Sequence, residues 1–115
     1  MNLKPIEDNS LDISFLPDYV HPDFIHVAQA FFNAEDIYKL WTRIHLAYKK
    51  VDLKTPLDDV MEPILSDFKQ TVFLYKMGKI NTSFEGYFYR VVYGRLWHMN
   101  KEACKHQWYD RLINS

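Results

Sequence analysis

Five histidines and one cysteine are the residues of this chain best equipped for metal or nucleophilic chemistry, and their spacing does not bring them together. His21 and His26 lie five apart, off the three- or four-residue step that aligns side chains on a helix face, while His45, His98 and His106 are scattered. No Cys-x-x-Cys or His-Glu-x-x-His pattern occurs, which argues against a structural zinc. Cys104 stands two residues from His106, so on a helix the pair diverges and no activated thiolate forms locally. Asp58 and Asp59, with Glu62 and Asp67 downstream, are the densest carboxylates. Following Thr55 and Pro56, they read as complements to a helix N-terminus and a wet face. Acid–base catalysis would need one of them buried against another with its ionisation shifted. The glycines, Gly78, Gly86 and Gly94, are too dispersed for a phosphate-cradling loop. These residues predict a chain that is not an enzyme and uses no cofactor, metal or small-molecule substrate.

A second group has the chemistry of contact. Arg90, Arg95, Lys101 and Lys105 alternate with Tyr89, Tyr93, Trp97 and Trp108 along the last third. Cations can meet phosphates and aromatic faces can stack on bases. The same residues suit a central helix whose arginines reach outward, or an aromatic protein interface. Charge weighs against nucleic acid: the net is -1, and Glu85, Glu102 and Asp110 offset half of the six basic groups after Met77. Arg90, Arg95, Trp97, Lys101, Lys105 and Trp108 are therefore the expected contact surface, for a protein partner or for copies of the chain, with DNA as the alternative. Residues 1–36 carry Lys4 against seven carboxylates, a net of -6, which leaves +5 on residues 37–115. The acidic end can pair with the basic one or mark a surface facing elsewhere.

The elements that would position these residues are helical. Residues 1–20, with Pro5 and Pro17 and no sustained period, read as an arm pinned by Ile13, Phe15 and Leu16; residues 21–115 read as one helical domain. Pro22 suits a first helical position, and Phe24, Val27, Ala28, Phe31 and Phe32 recur at helical spacing, predicting Pro22–Phe32. Asn33 can cap the next helix, Glu35–Val51, whose face carries Ile37, Leu40, Trp41, Ile44 and Tyr48. Thr55 and Pro56 read as cap and first position of a third helix to Met77, kinked or split by Pro63 near Asp59–Glu62 and stopped by Gly78. Thr82 and Glu85 have capping-box spacing before a fourth helix, Ser83–His98. That helix is apolar nearly all round, which predicts burial at the centre of the bundle, with Gly86 and Gly94 admitting a neighbouring helix. The fold expected is an all-α bundle of four to five helices whose last helices are aromatic-rich and central.

Length and composition agree. A chain of 115 residues, 48% hydrophobic and 17% aromatic, supports one core without staples. A single cysteine and the absence of a long apolar run predict a cytoplasmic protein with no membrane segment. A helix-turn-helix at the second and third helices fails, because Asp58, Asp59 and Glu62 would open the helix that enters the groove.

Several short words carry a family resemblance: Phe31-Phe32 followed by Ile37-Tyr38-Lys39-Leu40-Trp41, then Ala47-Tyr48-Lys49, Phe68-Lys69-Gln70-Thr71-Val72-Phe73 and Ser83-Phe84-Glu85-Gly86-Tyr87-Phe88. Over residues 19–100 the chain resembles the C-terminal region of helix-turn-helix replication-initiation and replication-associated proteins of plasmids, phages and integrative elements in low-GC Gram-positive bacteria. The resemblance implies an interaction module of a mobile-element replication protein, normally attached to a separate DNA-reading domain that these residues do not include. The chain is then expected to be an excised piece or a stand-alone relative. It supplies no catalytic residues. Ser83-Phe84-Glu85-Gly86-Tyr87, Arg90 and Gly94-Arg95-Leu96 also look like the polymerase-binding region of bacterial sigma factors, which implies a transcription module contacting RNA polymerase and DNA as the alternative.

Overall fold

A proline at the first position starts α1 (Pro22–Ala28), and His21 caps it. The His21 Nδ1 accepts from the Asp23 N–H at 3.1 Å, which leaves the ring proton on Nε2 to donate to Asp58 Oδ1 at 2.7 Å. The computed structural model describes Leu3 and residues 11–114, with side chains described for Leu3, residues 13–103 and Leu112. After α1 come α2 (Ala34–Val51), α3 (Met61–Lys76) and α4 (Phe84–Asn114), with 3-10 turns at Leu11–Phe15 and Leu57–Val60. Among the described residues there is no strand. The molecule is an all-α bundle.

Helix α1 ends four residues before the expected Phe32. The N–H groups of Phe31 and Phe32 both turn back to the Ala28 carbonyl, and this tight turn carries Phe32 into the core. Asn33, in extended backbone, caps α2 through Oδ1 and the Asp36 N–H at 3.0 Å, as its type suggests. Thr55 is not a cap: its carbonyl accepts from the Tyr48 hydroxyl at 2.7 Å, tying the loop to α2. The third segment is split as Pro63 requires. A 3-10 turn precedes α3, and Pro63 falls in the first helical turn, where a missing N–H breaks no helical hydrogen bond. Gly78, at φ 69°, closes α3 with two reverse bonds, Gly78 N–H to Tyr75 and Lys79 N–H to Leu74. This is the paired pattern that satisfies last-turn carbonyls.

Phe68 of α3 organises the core. Its ring lies 5.3 Å from Phe24, 6.1 Å from Phe32, 5.9 Å from Phe84 and 5.5 Å from Phe88, mostly edge to face. These five rings are fully buried and join α1, the following turn, α3 and α4. Tyr75 near the end of α3 meets Phe84 at the start of α4, so the two run antiparallel. Arg43 pairs with Glu85, and eight residues on, the Val51 carbonyl accepts from Asn100, so α2 and α4 run parallel.

Helix α4 lies against both α2 and α3 but is not buried all round. Among its described side chains the fully buried ones form one row at four-residue spacing, Phe84, Phe88, Val92 and Leu96. Tyr93, Trp97 and both flanking arginines are exposed, because the two neighbours cover only one side of the helix. No neighbouring helix approaches the glycines. A Cβ at Gly86 would meet the Ser83 hydroxyl at 3.0 Å, and one at Gly94 would meet open space. The cap is Ser83, whose Oγ accepts from the Gly86 N–H; Thr82 instead accepts from Arg90, and Glu85 turns to Arg43. The helix does not stop at the expected His98 but runs on to Asn114. In the arm, Ile13 and Leu16 pack on the core and Val20 is buried, but Phe15 is 85% exposed and pins nothing.

Candidate docking surface

Of the six contact residues expected from the sequence, α4 places Arg90, Trp97 and Lys101 on its solvent side and directs Arg95 elsewhere. The side chains of Lys105 and Trp108 lie outside the described residues. Arg95 reaches α3, where Nε and Nη2 donate to the two Asp67 carboxylate oxygens at 2.9 and 2.8 Å. The hydrogen bonds first, and the opposite charge second, raise the guanidinium above its ordinary value. Arg95 is thus a structural clamp. The groove beside it, about 350 Å³ between Asp67, Arg90, Gly94, Arg95 and His98, offers an anion a carboxylate along with its cations. It is a poor phosphate site.

What the outer side of α4 presents is a row. Tyr89, Tyr93, Trp97 and Lys101 follow one another at four-residue steps, beside the buried row of Phe88, Val92 and Leu96. The Tyr89 and Tyr93 rings are 6.1 Å apart, and Lys101 Nζ sits 5.2 Å above the Trp97 ring, a cation–π contact. Trp97 is 49% exposed, an unusual share for so large an apolar ring. Tyr89 and Tyr93 are absent from the six residues expected. The signal that finds them is the four-residue periodicity of the helix once its buried row is known.

The row is continuous with α2. Arg43 lies over the Tyr89 ring at 5.7 Å and donates to Glu85 at 2.8 Å, so its charge is answered. Tyr38, Arg43, Leu46 and Glu85 line a shallow groove between the helices. Tyr38 also walls two larger grooves: one of about 420 Å³ with Phe15, Leu16, Pro17 and Glu35, and one of about 450 Å³ with Tyr19, Trp41, His45 and Leu57. The Tyr19 hydroxyl donates to that of Tyr38 at 3.0 Å, and this bond raises the Tyr19 phenol above its ordinary value. Tyr19, Tyr38 and Leu46, and Tyr93 and Trp97 on α4, are all exposed.

Comparison with known proteins finds no family model, no curated protein and no solved structure that matches the chain. The face must be judged on its own chemistry. Among the described residues no group of three or more His, Cys, Asp or Glu is placed to hold a metal ion, and no helix is long and apolar enough to cross a membrane. Tyrosine, tryptophan and arginine, rigid and partly apolar with polar tips, are the residues that dominate binding energy between proteins. Two of the cations nearest the row, Arg43 and Arg95, already face carboxylates.

Proposed function

We propose that this chain is a non-enzymatic docking module acting in the cytoplasm, and that the face built on α2 and α4 binds another protein. The observation that supports this is the row of half-buried Tyr89 and exposed Tyr93, Trp97 and Lys101 at four-residue steps along α4. The resemblance to replication-associated proteins of mobile elements supplies the setting: the partner is a protein of the replication machinery or a second copy. DNA is the weaker reading, because Arg43 and Arg95 beside the row already face carboxylates within the fold and the chain as a whole carries a net charge of -1.

The test is a titration of purified replication proteins of such an element against the wild-type chain and Trp97→Ala by calorimetry. A buried tryptophan anchor contributes about 2 kcal/mol or more, so the variant is expected to bind about 30-fold more weakly. Binding to single- or double-stranded DNA at low salt, steeply weakened by added salt and indifferent to Trp97, would overturn the protein-docking reading.

A further inference from the structure

We propose that the shallow groove floored by Gly94 on α4 seats an acidic, amphipathic helix of a partner protein, lying along the aromatic row. This rests on the docking reading above and deepens it by naming the chemistry of the partner.

Gly94 is the starting point, because nothing inside the fold accounts for it. Glycine weakens a helix interior relative to alanine, and the loss is offset where a close neighbour leaves no room for a side chain. Gly86 has that reason within its own chain, since a Cβ there would press on the Ser83 hydroxyl at 3.0 Å. A Cβ at Gly94 would meet nothing within 4 Å. The space above it is open to a neighbour from outside.

Two rows run side by side on the solvent side of α4. One is Tyr89, Tyr93, Trp97 and Lys101; the other is Gly86, Arg90, Gly94 and His98. The first stands high with its rings, while the second drops at Gly94 between exposed Arg90 and His98. There a groove of about 350 Å³ opens toward Asp67 of α3. A high row beside a low one is the ridge and groove into which a second helix packs, and a missing side chain at the crossing lets the two axes come close. From Gly86 to Lys101 the rows run 16 residues. That is about 24 Å, the length of a partner helix of about four turns.

Charge gives the partner's sign. From Gly86 to Lys101, α4 carries Arg90, Arg95 and Lys101 and no carboxylate. The carboxylates around this stretch are engaged or turned away. Asp67 has both oxygens on Arg95, Glu85 is held by Arg43 at 2.8 Å, and Glu102 points about 100° round the helix from Lys101. Arg90 donates to the Thr82 hydroxyl at 3.2 Å and Lys101 sits over Trp97; among the described residues neither cation has an ion pair. These two cations bracket Tyr93, Gly94 and Trp97, so the matching helix carries carboxylates about three turns apart with apolar side chains between them. A free phosphate in the groove would lie against Asp67, whereas a helix holds its carboxylates at Arg90 and Lys101, clear of it. A nucleic-acid strand bears a charge at every nucleotide and needs cations along its whole path, and here the unpaired ones stand at the two ends.

The test uses the full chain and two stapled, fluorescein-labelled helices of about four turns. One has leucines on one face flanked by glutamates; the other has lysine in place of every glutamate. Fluorescence anisotropy is expected to show the glutamate helix binding about tenfold or more tightly than the lysine helix, and more weakly as salt rises. Gly94→Leu fills the groove from a position open to solvent, so its Tm should hold or rise while its affinity for the glutamate helix falls about tenfold or more. Arg90→Glu with Lys101→Glu should exchange the preference, losing the glutamate helix and gaining the lysine one. If Gly94→Leu loses its fold, this charge exchange decides alone. The inference is overturned by a folded Gly94→Leu chain that binds like the wild type, by a wild type that takes both helices equally, or by no binding of the glutamate helix at several hundred micromolar. Single-stranded DNA that displaces the bound helix at lower concentration than the helix itself requires would also overturn it, in favour of nucleic acid. A replication protein whose binding depends on Trp97 but on neither Gly94 nor Arg90 overturns this inference alone and leaves the docking reading intact.

Discussion

Removing Arg95 decides whether this cation belongs to the fold or to a partner. The guanidinium makes two parallel bonds to Asp67, whose side chain is only 13% exposed while that of Arg95 is 44% exposed. A charge-assisted bidentate pair contributes about 1.5–3 kcal/mol when well shielded. Water reaches nearly half of the arginine, so the screened value is about 1–2 kcal/mol. For a chain of 115 residues, unfolding entropy makes each kcal/mol worth about 4 °C in Tm. Arg95→Ala should therefore lower Tm by about 4–8 °C, and Arg95→Lys should recover less than half of that, because an ammonium cannot make the fork. Urea denaturation of the wild type, Arg95→Ala, Asp67→Ala and the double variant gives the coupling energy, expected to be at least about 1 kcal/mol. Additivity within about 0.3 kcal/mol, or a loss of partner binding with no loss of stability, would refute the assignment of Arg95 to the fold and return it to the contact surface.

Three further outcomes follow from the core, a turn and one carboxyl. Phe68→Ala removes the ring that five other phenylalanines meet and should cost about 3–5 kcal/mol by urea denaturation; a loss under about 1 kcal/mol would mean that the cluster is not the core. Gly78→Ala places a Cβ on a residue at φ 69° and should destabilise by about 1 kcal/mol, where the same change at Gly94, helical and facing open space, should stabilise. Burial first, only partly opposed by Lys39, raises the Asp36 carboxyl above its ordinary 3.8. A group raised on folding stabilises fully below its unfolded value and loses that contribution as pH rises through its folded value, so ionisation of Asp36 lowers stability from about pH 3.8 upward. Asp36→Asn should flatten the pH dependence in that window, read from denaturation midpoints at successive pH values; an unchanged slope would contradict the shift.

Local chemistry made several boundaries legible without the structure. Asn33, Pro63 and Gly78 act through their own backbone and side-chain preferences, so they mark the start of α2, the break before α3 and the end of α3 wherever the rest of the chain goes. Features that depend on which neighbour arrives were not legible. Thr82 and Ser83 are both competent caps, and the choice fell to Ser83 because the Thr82 hydroxyl is taken by Arg90. The fourth helix is apolar enough to suggest burial on every side, yet only two long helices lie against it, which leaves Tyr93 and Trp97 in solvent. Arg90 and Arg95 are alike in sequence context and unlike in role, since only one faces Asp67, 28 residues earlier in the chain. The exposure of Arg90, Trp97 and Lys101 follows from the outer side of α4, whereas the pairing of Arg95 with Asp67 depends on a helix the local sequence does not announce.

Helix α1 has seven residues, too few to persist by itself in water. Phe24, seated among Trp41, Phe68 and Phe88, fastens it, and buried Val20 anchors the loop before it, which carries Tyr19 to the wall of the larger groove. The proposed docking surface is for this reason a property of the folded whole. A peptide copied from the arm and α2 would hold the right residues without the scaffold that presents them, and whatever melts the phenylalanine cluster erases the groove in the same event.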